Sequence, residues 1–557
     1  MPVKPQIDNS TSTKTFNVLL PLIVAISCVI GMLAGQRMGS NSGQNPLIQK
    51  LNDDHQIGVG RIEEVIRFIE SKYVDEVNES EMVEDALSSI MKYLDPHSIY
   101  ISKSRLEEVN NQLKGSYEGL GIETIFYKDT LVVLNVIKDG PSDKAGVQLF
   151  DKIINIGGDN NIAGEYDPEV LRSVLKGAHG SNNELVVKRH STGLLDTINV
   201  AVGSVSVKSA DIAYMIDDSI GYIKIERFNS NIYKEFMESL EMLHTKKGMK
   251  HLVVDVRDNP GGYLPETTKI LSQLFLQKDR LLVYTEGKSD DRYDYHSSGK
   301  VFFEVGKIAV LIDEGSASGS EIIAGAIQDW DRGVIIGRRS YGKGLVQEQY
   351  GLKSGDALRL TVAKYYTPSG RSIQKPFDND EEYSTELSDR STSGEYMDAS
   401  KIPVSDTTKY YTKIKHRVVY GGGGITPDIF IPKESNIDED ALSNIKQLIP
   451  EFAYLSLKDK LGDYPAKYKG YMDSELSRKS FVSEFESYLI KEEYLADDEL
   501  PQKYYSRIDQ LIKSKIVRIL YDKINEGKFI NNDDPFINES IKSINNRNIL
   551  VELSEES

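Results

Sequence analysis

The apolar positions along the 557-residue chain change period several times. Ile62, Val65, Ile66, Ile69 and Tyr73 recur at the spacing of one helical face, and so do Val83, Ala86, Leu87, Ile90 and Leu94, which predicts two amphipathic helices. From about Gly115 the pattern becomes short continuous apolar runs, Leu131–Ile137 and Glu184–Arg189 among them, as in strands. Gly221–Ile225, Leu252–Arg257, Ile308–Ile312 and Val334–Ile336 read as further buried strands. Between the last two, Ile322, Ile323, Ala326 and Ile327 mark a helix starting at a corner of small residues, Gly315 to Ser320. Leu358–Tyr366 alternates. Helical spacing returns at Phe481, Phe485, Tyr488 and Leu489, and again at Ile508, Leu511, Ile512, Ile516, Ile519 and Leu520. Apolar helix faces of this kind find a partner, as a dimer or adaptor surface, or pack on their own chain. The pattern predicts a multidomain α+β protein, since this length exceeds one core.

One run is of another kind. Val18–Ala34 is apolar except for Ser27 and spans roughly 25 Å as a helix, close to a bilayer core. Lys4 and Lys14 precede it, so residues 1–16 read as a cytoplasmic tail, 17–36 as a transmembrane signal-anchor and 37–50 as a linker. No clean small-residue cleavage site follows, which favours a retained anchor over a cleaved leader. Everything after Arg37 is then expected outside the cytoplasm. A formal charge of −18 argues against nucleic acid as a partner. The single cysteine, Cys28, excludes a disulfide framework within the chain, and the eight histidines form no metal-binding spacing.

The candidate chemistry sits at the Gly315–Ser320 corner. A serine at a strand-to-helix turn lies where unpaired helix N–H groups can receive an oxyanion. Ser316, Ser318 and Ser320 all qualify by type. Ser318 and Glu321 equally fit an S-x-x-E capping box with no catalytic role. Further on, Gly342-Lys343-Gly344 places one lysine between glycines.

Taken together, G-S-A-S-G-S-E, Y-G-K-G-x-V-Q, L-D-P-H-S at 94–98 and D-x-R-x-N-P-G-G at 255–262 resemble the carboxyl-terminal processing peptidases, the tail-specific proteases. The resemblance covers roughly residues 55–432. It implies that Ser318 is the nucleophile, that Lys343, 25 residues on, is its general base, and that Gln347 orients the lysine. It assigns the oxyanion hole to Gly261, Gly262 and Gly319, leaving open which of the first two donates. Gly319 stands where the family usually has alanine. His97 reads as a turn or capping residue. Segments 119–122, 140–147 and 151–158 resemble a PDZ domain, whose peptide-binding loop is then Gly119, Leu120, Gly121 and Ile122. The domain boundaries expected are 51–112 (helical), 113–205 (PDZ), 206–432 (a crotonase-like α/β serine peptidase core) and 433–557 (a helical extension). The polar stretch near 376–415 is expected to be a mobile cover or a surface excursion.

The function implied is serine endopeptidase activity on protein or peptide substrates with free C-termini, with no cofactor and no metal. The alternatives are a catalytically silent PDZ scaffold and a crotonase-like acyl-thioester enzyme. A lysine base must be neutral near pH 7, which asks burial for roughly 3–5 kcal/mol of differential stabilisation.

Overall fold

The computed structural model describes residues 60–557, apart from 129, 158–159, 162–174, 176–179, 289–291, 378–379, 405, 434–438, 496–499, 547 and 556–557. The expected tail, anchor and linker at 1–50 lie outside the described residues. No described helix is long and apolar enough to cross a membrane. The chain divides into two units, 1–89 and 90–557. In the first, a helix over 60–72 is followed by the start of Glu79–Met91, where the two amphipathic repeats fall.

The second unit is built on a six-stranded sheet in the order Ala213–Met215, Ile220–Lys224, His251–Asp255, Ile308–Ile312, Val334–Gly337, Ile429–Phe430. The first pair is antiparallel and the others are parallel. Parallel strands need crossovers, and helices Ile232–Glu241, Leu264–Leu274 and Gly319–Asp329 cover one face. Helix Pro535–Asn545 covers the other. Val254, Val310 and Ile312 point to the first face, Val253, Ala309 and Leu311 to the second. Burial on both sides is why these strands read as unbroken apolar runs.

Beside it lies an antiparallel sheet of Ile99–Ile101, Ala357–Tyr366, Leu281–Gly287 and Tyr293–His296, with Leu345–Gly351 also paired to Ala357–Tyr366. A third sheet, also antiparallel, contains Ile122–Tyr127, Thr130–Val136, Lys152–Ile156, Asn182–Lys188 and Leu195–Ala201. Leu131 and Val133 fill that sheet's own core, whereas Val132, Leu134 and Phe150 pack against the C-terminal helices. Phe485, Ile508, Ile512 and Ile516 are fully buried in this contact. The apolar faces at 481–489 and 508–520 are therefore covered within the chain, the second of the two outcomes the sequence allowed.

The 376–415 stretch reads in sequence as a mobile cover or a surface excursion. It contains helix Asp380–Thr392, a 3-10 turn at Ala399–Lys401 and a strand at Tyr410–Tyr411. Most of its described residues are exposed, but two of its charged residues, Arg390 and Glu395, are buried in pairs: Arg339 is clamped to Glu395 at 2.7 and 2.6 Å with both side chains buried.

Candidate active site

Three loops leave the carboxyl ends of three adjacent parallel strands, the usual position for a site in such sheets. After His251–Asp255 comes the Asn259–Gly262 turn, after Ile308–Ile312 the serine corner, and after Val334–Gly337 the loop to Lys343. Neighbouring strands thus bring together residues far apart in sequence.

Geometry separates the three serines. Ser316 is buried, its Oγ donating to Val256 O at 2.8 Å and accepting from Asp313 N at 2.9 Å. Ser320 is buried and donates to Asn259 O at 2.9 Å. Ser318 alone of the three is partly exposed. It has φ +50° and ψ −109°, a conformation that a non-glycine residue holds only when its surroundings impose it.

Two buried groups impose it, and they also fix the lysine loop. Glu321 Oε2 accepts from Ser318 N and from Lys343 N, each at 2.8 Å. Its Oε1 accepts from Gly342 N at 2.7 Å and Ser340 Oγ at 2.6 Å. From the opposite side, Tyr365 Oη donates to Ser318 O at 3.1 Å and to Lys343 O at 2.6 Å. The peptide groups of Ser318 and Lys343 are held together through both N–H and C=O. Glu321 does belong to a capping box, as the sequence allowed, but its carboxylate spans two loops. Burial pushes Glu321 up to about 7, against its four donors. Burial first, then the Arg359 charge, hold the Lys343 ammonium below its ordinary value, opposed by Glu321 and Asp95.

The glycines divide their work. A Cβ on Gly261, at φ +91°, would lie 2.7 Å from Ser318 Cβ and from Gly319 N, so only glycine lets the two turns touch. The Gly261 N–H itself is donated to Asn259 Oδ1 at 2.8 Å. Among the described residues no hydrogen bond uses the N–H of Gly262 or Gly319. A methyl group at Gly319 would meet Thr267 Oγ1 at 2.8 Å and Phe228 at 3.1 Å.

Gln347 donates to Thr361 Oγ1 at 3.4 Å, and Thr361 Oγ1 donates to Asp95 Oδ1 at 3.1 Å. Among the described residues no hydrogen bond joins Gln347 to Lys343. Asp95 caps its own turn through His97 N and Ser98 N. His97 Nε2 lies 2.7 Å from Tyr383 Oη, and burial, then the nearby Lys343 charge, lower its pKa to about 4. Sequence reasoning missed Tyr365 and the bridging role of Glu321. No motif marks a tyrosine in an alternating strand, and an S-x-x-E pair has the same spacing whether or not it bridges.

Away from this cluster, Gly119 ends strand Ser116–Gly119 and Ile122 begins Ile122–Tyr127, an edge strand of the third sheet. Leu120 is buried between them, and Gly121 has φ +74°. Residues 162–174 and 176–179, within the 113–205 segment, lie outside the described residues.

Residues 219–383 match the model of peptidase family S41. The chain is similar to a probable CtpA-like serine protease of Staphylococcus haemolyticus, 30% identical over 402 residues that cover 71% of this chain and 78% of that one. It is 31% identical over 346 residues to a carboxy-terminal-processing protease of Bartonella bacilliformis, covering 62% and 76%. Among solved structures, the photosystem II D1 C-terminal processing protease aligns with a TM-score of 0.32 and 27% identity over 55% of this chain and 82% of that one. The chain belongs to the carboxyl-terminal processing peptidases of family S41, and it is a serine peptidase.

Proposed function

We propose that this chain is a membrane-anchored Ser-Lys endopeptidase that removes or trims C-terminal tails of envelope proteins. The observation that carries this reading is the double bridge by which Glu321 and Tyr365 hold the Ser318 and Lys343 backbones together at the one serine of its corner left partly exposed. Neutral Lys343 Nζ takes the proton from Ser318 Oγ as that oxygen attacks the scissile carbonyl. The developing oxyanion is received by the N–H groups of Gly262 and Gly319. Lys343 then gives its proton to the leaving amine, and water, deprotonated by the same lysine, releases the acyl group. Gln347 acts on this machinery through Thr361 and Asp95.

The core is read as crotonase-like and the third sheet as a PDZ domain. Its Gly119–Ile122 loop receives a chain-terminal carboxylate, and the substrate tail adds beside Ile122–Tyr127, an edge strand of that sheet. The 17–36 segment anchors the chain, with the catalytic part outside the cytoplasm. The test is cleavage, by full-length protein in detergent, of an apolar peptide with a free C-terminal carboxylate and of its amide. Ser318→Ala and Lys343→Arg are both expected to be inactive, since arginine does not give up its proton at usable pH. Substantial turnover by Lys343→Arg refutes the lysine base, and equal rates for acid and amide refute carboxylate recognition.

A further inference from the structure

The polar 376–415 stretch carries buried charges with no part in proton transfer, and they converge on the loop that ends at Lys343. Arg390, in the last turn of helix Asp380–Thr392, is only 2% exposed. Its Nη1 donates to Ser340 O at 2.8 Å and Arg339 O at 3.2 Å, and its Nη2 to Tyr341 O at 3.1 Å. These are three consecutive carbonyls, and they immediately precede Gly342-Lys343. Carbonyl dipoles turned toward one point repel each other, so such a loop holds its shape only around a cation with several fixed donors. A guanidinium is that group, whereas an ammonium is a point charge. Glu386 fixes the fork in turn, accepting from Arg390 Nε at 2.6 Å. Burial pushes Glu386 up, but Arg390, Lys375 and Arg339 outweigh it and hold it ionised below its ordinary value.

The same helix reaches the other flank of the lysine. Lys375 Nζ lies between the rings of Tyr341 and Tyr383, 4.2 and 4.1 Å from their centroids, and Tyr383 Oη meets His97. The stretch matched by the family model ends at residue 383, short of Arg390.

We infer that Arg390 is a positioning residue for the general base: by gathering the carbonyls of 339–341 it fixes the backbone that presents Lys343, which makes the insertion part of the active-site assembly. The inference rests on the reading of Lys343 as base, and the test separates the two. Full-length Arg390→Met, Arg390→Lys and Lys343→Ala are compared with wild type for kcat, KM, the pH profile of kcat/KM and melting temperature. Arg390→Met is expected to lose roughly 10- to 100-fold in kcat with KM within about two-fold, as misplacement of a catalytic group does. Its acidic limb is expected to move to higher pH, because a released Lys343 is better solvated. Arg390→Lys is expected to recover only part of the rate, and methylguanidinium to restore part of it to Arg390→Met. Wild-type kcat in Arg390→Met overturns the inference. So does a loss that only tracks the unfolded fraction with the pH profile in place. If Arg390→Met does not fold, Arg390→Lys with wild-type kcat and pH profile overturns it equally. Activity in Lys343→Ala instead overturns the reading beneath it.

Discussion

At the scale of single residues, three serines within five positions have three different fates. Ser316 and Ser320 are buried and bonded to carbonyls of the neighbouring turn, so their replacement tests stability, not chemistry. Ser316→Ala is expected to cost about 1–3 kcal/mol in denaturant unfolding, by leaving the Asp313 N–H and Val256 carbonyl without their partner, while the folded fraction still turns over. A dead but fully stable Ser316→Ala protein would contradict that division. Arg359 lies on the strand beside Lys343, and its charge disfavours the ammonium form. Arg359→Gln should therefore raise the Lys343 pKa and move the acidic limb of kcat/KM to higher pH, an outcome a pH–rate profile checks directly. His97 has the opposite consequence for folding. Its folded pKa of about 4 lies below the unfolded value of 6.5, so the folded state binds fewer protons between them. Stability from this residue is present above pH 6.5 and is lost as pH falls toward 4, and the difference between wild type and His97→Gln in unfolding free energy should shrink on that descent.

At the scale of elements, the site is made where adjacent parallel strands end, and a shared clamp decides its precision. Tyr365→Phe removes only one hydroxyl yet frees two carbonyls, Ser318 O and Lys343 O. A fall in kcat of roughly 10-fold with little change in KM is expected, and steady-state kinetics on one peptide decide it. Unchanged kcat would mean that Glu321 alone holds the two loops. The strands and the serine corner were legible because their apolar runs and small residues have local causes: burial on both faces, and a tight approach of two turns. The pairing of Ser318 with Lys343 rests in the sequence on motif order, and the structure brings their backbones to one carboxylate. Glu321's bridge, Tyr365 and Arg390 were not legible, because each acts on the backbone of residues 21 to 51 positions away, and such bonds leave no periodicity. The buried charges of the insertion were illegible for a related reason. Arg390 and Glu395 look in sequence like the solvated residues around them, and only their partners, the 339–341 carbonyls and Arg339, reveal that these two are buried.

At the scale of the whole molecule, the C-terminal helices join the third sheet to the peptidase core. Ile508, Ile512 and Ile516 lie against the sheet side, and Lys523 meets Asp211 at 3.0 Å and Glu226 at 2.6 Å on the core side. Farther along, Asp534 accepts from Arg257 at 2.7 Å, beside the turn that carries Gly261 and Gly262. Ile516→Ala, at a fully buried position, is expected to cost about 2–5 kcal/mol, read as a lower melting temperature. A shift of a degree or less would show that this contact is loose. One consequence concerns synthesis. The sheet that presents Val132, Leu134 and Phe150 has its last strand by residue 201, but the helices that cover this face end near residue 520. At about 5–20 residues per second the ribosome needs on the order of half a minute to supply that cover. Throughout that interval the nascent chain carries an uncovered apolar sheet face, so a truncated transcript or a stalled ribosome should yield a product that chaperones hold and proteases clear.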